Sequence, residues 1–94
     1  MNYHYPIDET WSKQEIVDVV HFFSAIEKAY EKNTTTCEEI MVAYKRFKQI
    51  VPSKSEEKRI FAEFQQASGY SSYYVVKHAN NQKNGVIVMK KGNS

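Results

Sequence analysis

Residues 61–79, FAEFQQASGYSSYYVVKHA, place two apolar sets on either side of one glycine: Phe61, Phe64 and Ala67 before it, Val75, Val76 and Ala79 after it. Each set recurs at three- and four-residue steps, the period of a helix that turns one face to a core. Gly69 is the residue type that takes the left-handed conformation at a helix end without steric cost. Ser71 or Ser72 then offers a cap for the next helix. The stretch therefore predicts a helix, a tight turn and a second helix. Two uses compete for it. One is a helix-turn-helix whose second helix reads DNA; the other is a plain helix hairpin that leaves tyrosines on its surface.

Working back toward the N-terminus, the same logic repeats. Ser53 to Glu56 has the pattern of a capping box, and Ile60, Phe61 and Phe64 supply the inward face of the helix it starts. Pro52 ends the helix before it near Ile50. That helix opens with another capping box, Thr36 to Glu39, and carries Ile40, Met41, Tyr44, Phe47 and Val51 as its stripe. Ser12 to Glu15 is a third box, with Trp11 and Ile16 at the spacing of a hydrophobic staple. Ile16, Val19, Val20, Phe23, Ile26 and Tyr30 continue that helix until Asn33-Thr34-Thr35 interrupts it. Helices are expected over about 12–32, 37–50, 54–68 and 72–81 of one domain spanning 1–94. The fold class is all-α, a small bundle of about four helices around Ile16, Val20, Phe23, Ile40, Tyr44, Phe47, Ile60, Phe61, Phe64, Val75 and Val76.

Two segments lie outside the helices. Residues 1–11 read as an extended arm that tucks Tyr3, Tyr5 and Ile7 against the core, with Trp11 as a structural lid. The run Gly85-Val86-Ile87-Val88-Met89 is β-branched and apolar, and a lone strand needs a partner. We read this short apolar tail as a hydrophobic strap across the bundle.

Composition narrows the function classes. With 94 residues and 41% hydrophobic content, including 12 Phe or Tyr, the chain has material for one core. A single cysteine, Cys37, forms no internal disulfide and fits a reducing compartment, so a cytoplasmic location is expected. No basic-then-apolar leader and no membrane-spanning run is present in the sequence. Residues 1–43 hold eight acids against three bases, and residues 44–94 three acids against ten bases. This asymmetry reads either as charge balance between packed halves or as a basic face for nucleic acid or an acidic partner.

No catalytic constellation is assembled. Cys37, His4, His21 and His78 fall in separate segments, and Cys37 reads as a small buried filler. His21 lies opposite the stripe of its helix, where Asp18 is a surface neighbour, and two such ligands make a poor metal site. The acidic pairs Asp8-Glu9, Glu38-Glu39 and Glu56-Glu57 sit at or near helix starts, where negative charge is favoured for structural reasons. Gly69, Gly85 and Gly92 are isolated and form no phosphate loop. The expectation is a protein that is not an enzyme and uses no cofactor or metal.

The DNA-reading version of 58–80 would expose Ser71, Ser72, Tyr73, Tyr74, Lys77 and His78 as its edge, with Lys45, Arg46, Lys48, Lys54, Lys58 and Arg59 on the backbone. Its second helix offers one lysine and no Arg, Asn or Gln before Asn80, a poor base-reading set. Gln65 also stands where that motif has a small residue. Surface tyrosines suit protein contacts better, since they bury rigid area and keep a hydroxyl. The favoured expectation is an interaction or accessory protein, with Lys58, Arg59, Tyr70, Tyr73, Tyr74 and Lys77 as its patch. Its partner is a protein or a second copy of the chain; nucleic acid is the alternative, and no membrane is implied.

PSKSEEKRIF (52–61) followed by SGYSSY (68–73) resembles the uncharacterised protein family 0223 of Bacillus and related Gram-positive bacteria. YPID (5–8) and WSKQEIV (11–17) resemble that family's opening, so the likeness spans about residues 3–79. The resemblance implies a compact all-helical protein of the cytosol. It brings no activity, cofactor or catalytic residue to these positions.

Overall fold

The computed structural model describes residues 5–89. Four helices follow one another: α1 (Lys13–Glu31), α2 (Cys37–Ile50), α3 (Lys54–Ser68) and α4 (Ser72–Gln82). Their starts follow from local hydrogen bonding. Ser12 Oγ accepts the Glu15 amide while the Glu15 carboxylate accepts the Ser12 amide, and Thr36 and Glu39 repeat the exchange at α2. Each box satisfies two amides that a helix start otherwise leaves without a partner.

The third box is only half made. Ser53 Oγ accepts the Glu56 amide, but the Glu56 carboxylate is held by Arg59 at 2.8 Å instead of reaching back. A guanidinium one turn along offers two charge-assisted bonds, which outcompete one neutral amide. Ser71 caps α4 through the Tyr74 amide. Between α3 and α4, Gly69 has φ 83°, and its amide bonds the Gln65 carbonyl at 2.7 Å.

The core is built from rings. Phe22 and Phe23 of α1 are both fully buried, and Phe47 of α2 stacks on Phe22 at 5.1 Å. α2 packs closely against both α1 and α4, whereas α3 joins α1 and α2 through its aromatic side chains. Phe64 lies 4.5 Å from Phe23, and Phe61 lies 5.5 Å from Phe47. Long rings hold α3 further from α1 and α2 than small residues would, and this spacing leaves room beside α3.

The expected core is corrected in detail. Ile16, Val20, Tyr44, Phe61 and Val76 are only partly buried, while Phe22, Ala25, Ala29, Tyr70 and Ile87 join the core. Inward-facing positions on α1 form a wider band than the expected stripe because α1 has α2 on one flank and α3 rings on the other. His21, next to Phe22, is exposed as expected.

Both flanking segments close over the bundle. Tyr5 stacks on Phe23 and meets Phe64 at a tilt, its ring centre 6.0 Å from each, and Trp11 packs half-buried on the core. Ile7 remains 39% exposed and so does not tuck in, and Tyr3 lies outside the described residues. At the other end, residues 85–87 strap the turn between α1 and α2. The Cys37 amide bonds the Gly85 carbonyl at 2.9 Å and the Ile87 amide bonds the Thr35 carbonyl at 2.8 Å. Thr36 and Val86 form an antiparallel bridge, and Ile87 is fully buried. Val86 and Val88, pointing the other way as strand alternation requires, stay exposed.

Candidate functional site

An open groove of about 760 Å³ is bounded by α2, α3 and α4. Met41 and Tyr44 of α2, Phe61 of α3 and Val76 of α4 give it an apolar floor. Its origin is the ring-mediated seating of α3. Phe61 reaches inward to Phe22 and Phe47, and the groove opens beside it among α2, α3 and α4. Lys54 and Lys58, four residues apart on α3, and Lys77 on α4 line the groove with the exposed Tyr73.

The charge balance around this groove is uneven. Glu57, the acid that lines it, is already committed: its carboxylate accepts the Tyr44 hydroxyl at 2.8 Å and the Lys48 ammonium at 2.7 Å. Burial, followed by the bond to that carboxylate, pushes the Tyr44 phenol up to about 12. Lys54, Lys58 and Lys77 pair with no carboxylate among the described residues. Lys77 Nζ instead stands 5.9 Å from the centre of the Tyr73 ring, within cation–π range. A positively charged lip over an apolar floor is the result.

The start of α4 also lines the groove. Ser71 and Ser72 line it, and both are buried, at 8% and 1% exposure. Ser71 is occupied as the cap, and its backbone amide bonds the Tyr30 hydroxyl at 3.2 Å. Ser72 Oγ is buried with no hydrogen-bond partner among the described residues.

The structure divides the six patch residues. Lys58, Tyr73 and Lys77 come together at the groove. Tyr74 is exposed beside Tyr73, with ring centres 5.5 Å apart. Arg59 does not join them. It bonds Glu56 and Glu63 on its own helix, both at 2.8 Å, and borders a smaller recess with Trp11 and residues 6–10.

Tyr70 is a correction. It is 1% exposed, its ring stacks on Tyr30 at 4.6 Å, and its hydroxyl donates to the Glu31 carboxylate. Burial and that carboxylate hold its phenol up at about 12. The left-handed turn at Gly69 swings Tyr70 inward, so it anchors the hairpin to α1 and offers no contact surface.

With the hairpin, the groove and the strap in view, relatives can be placed against them. The uncharacterised protein family UPF0223 matches residues 2–88. This chain belongs to that family. A UPF0223 protein of Oceanobacillus iheyensis is 64% identical over 95% of this chain and 100% of its own length. One from Lysinibacillus sphaericus is 53% identical over 94% of this chain and 92% of its own, and YktA of Bacillus subtilis is 47% identical over 95% and 100%. The family match reaches residue 88 and so includes the strap, which the resemblance over 3–79 did not.

The other chemical candidates stay apart. Cys37 is fully buried beneath the strap, its thiol 3.5 Å from the Asn84 carbonyl. Asp18 bonds Arg46 directly, with His21 as a nearby surface neighbour: Arg46 Nε bonds its carboxylate at 2.7 Å, and this bond holds the carboxyl below its ordinary range. Among the described residues no group of three or more His, Cys, Asp or Glu could hold a metal, and no helix is long and apolar enough to cross a membrane. His4 lies outside the described residues.

Met41, Glu57 and Gln65 line the groove but were absent from the expected patch. Met41 and Tyr44 read as ordinary core positions, because periodicity separates inward from outward without distinguishing a filled interior from an open floor. Lys54 was visible only as one basic residue of many.

Proposed function

We propose that this chain is a non-enzymatic, cytoplasmic interaction protein that docks a protein partner on its α2–α3–α4 face. The observation that carries the reading is the groove itself, apolar below and bordered by Tyr73, Lys58, Lys77 and Lys54. Interfaces draw most of their energy from a few buried aromatic or apolar anchors inside a polar rim, and this face has both parts. Tyr73 and Tyr74 are 58% and 59% exposed, large aromatic area that the chain's own fold does not cover.

The nucleic-acid alternative through 58–80 finds less support. A reading helix presents its first turn to base edges, yet Ser71 and Ser72 are buried. Three of the six expected backbone contacts are also engaged in ion pairs: Arg46 with Asp18, Lys48 with Glu57, and Arg59 with Glu56 and Glu63.

Affinity capture from lysate of the source bacterium tests the reading, with wild type and a folded Tyr73→Ala/Lys77→Ala variant run in parallel, each with and without nuclease. Proteins retained by wild type alone, in both nuclease arms, are the expected result. Retention that disappears with nuclease, or that is equal for the two proteins, contradicts it.

A further inference from the structure

We infer that the α2–α3–α4 groove is built for an acidic amphipathic helix of the partner, laid along α3 with its apolar side down and its carboxylates on the lysine lip. The inference rests on the protein-docking reading and adds the chemistry of the partner. Its dimensions come first. Groove residues on α3 run from Lys54 to Gln65, about 16 Å or three helical turns. A groove of that length with an apolar floor fits helix-in-groove recognition, where anchors spaced three and four residues apart fill one trough.

Charge sets the sign of the partner. Lys54, Lys58 and Lys77 have no carboxylate partners among the described residues, and Glu57 is neutralised by Lys48 while it accepts from Tyr44. The groove therefore presents uncompensated positive charge over Met41, Tyr44, Phe61 and Val76. A basic or neutral helix would bury the same apolar area and gain nothing at the lip.

A second observation concerns the start of α4. Ser72 Oγ is a buried hydroxyl with no hydrogen-bond partner among the described residues, in a wall of the groove. It stands in the first turn of α4, whose leading amides have no intrahelical carbonyl to bond and whose dipole favours negative charge. The Ser72 hydroxyl is itself closed to solvent, so what the start of α4 offers an incoming carboxylate is its positive helix end, the same sign as the lysine lip.

Fluorescence polarisation on the full chain tests this with three labelled helical peptides of about four turns. The first carries leucines on one face and glutamates elsewhere, the second replaces the glutamates by lysines, and the third replaces the leucines by alanines. Saturable binding of the first peptide alone is expected. Lys58→Glu, a change at an exposed position, should weaken it about fivefold, and Lys54→Glu/Lys58→Glu/Lys77→Glu by about thirtyfold or more. Lys28→Glu, which changes net charge as much as Lys58→Glu but on α1, a helix that does not line the groove, should leave it within about twofold. Absent saturable binding, equal binding of the lysine peptide, or equal loss with Lys28→Glu overturns the inference. Should lysate capture still depend on Tyr73 and Lys77 when the peptide fails, the acidic-helix inference falls and the docking reading stands.

Discussion

Phe22 and His21 are adjacent, yet one is fully buried and the other exposed. Phe22 touches Phe23, Tyr44, Phe47 and Phe61 as ring neighbours, so Phe22→Ala removes a shared contact and leaves a cavity. We expect a loss of about 3–5 kcal/mol in urea unfolding, against about 0.5 kcal/mol or less for His21→Ala. Phe22 was harder to read than Phe23 because one apolar stripe does not reveal that a helix is flanked on two sides. Tyr70 was harder still, since its inward turn depends on φ at Gly69 and on Tyr30 from a distant helix. The buried phenols also set a pH limit. Tyr44 and Tyr70 hold their protons to about pH 12 in the folded chain, above the ordinary tyrosine value of about 10. Their contribution is complete below pH 10 and is lost as pH rises through 12, because the folded state holds more protons than the unfolded one in that window. A Tyr44→Phe/Tyr70→Phe variant should therefore show a shallower alkaline loss of stability than wild type, followed by denaturant midpoints across that range.

The elements were legible where their signals are local. Ser12, Thr36, Ser53 and Ser71 each cap a helix through their own hydroxyl, and such bonds span three residues. Gly69 is similarly local. A Cβ there would meet nothing within 4 Å, so Gly69→Ala tests backbone conformation alone and should cost about 1–2 kcal/mol by thermal unfolding, with Gly69→Asn costing less. The strap was legible as an apolar run needing cover, but its partner was not, because the Thr35–Cys37 turn lies some fifty residues upstream. Ile87 seals that turn over Cys37. Ile87→Ala should destabilise the chain by about 2–5 kcal/mol and should speed thiol labelling of Cys37, which in wild type must wait for the strap to open.

Across the whole molecule, the two charge-asymmetric halves meet as ion pairs in one place and stay uncompensated in another. Arg46 on α2 pairs with Asp18 on α1, so part of the basic second half is balanced across a helix interface. Lys54, Lys58 and Lys77 pair with no carboxylate among the described residues, and they border the α2–α3–α4 groove. Sequence alone showed the asymmetry without showing which lysines would gather, since that depends on how far Phe61 and Phe64 hold α3 from its neighbours. Half of the expected patch, Lys58, Tyr73 and Lys77, does gather there, and Arg59 and Tyr70 are spent within the chain. On the reading proposed above, this face receives a protein. Photo-crosslinking in cells of the source bacterium tests it most directly, with benzoylphenylalanine in place of Tyr73 and, as a control, in place of Val17, an exposed α1 residue away from the groove. A discrete protein adduct at position 73, insensitive to nuclease, absent at position 17 and lost on Lys54→Glu/Lys58→Glu/Lys77→Glu, is the expected result. Equal adducts at both positions, a nuclease-sensitive product, or no adduct at position 73 would contradict it.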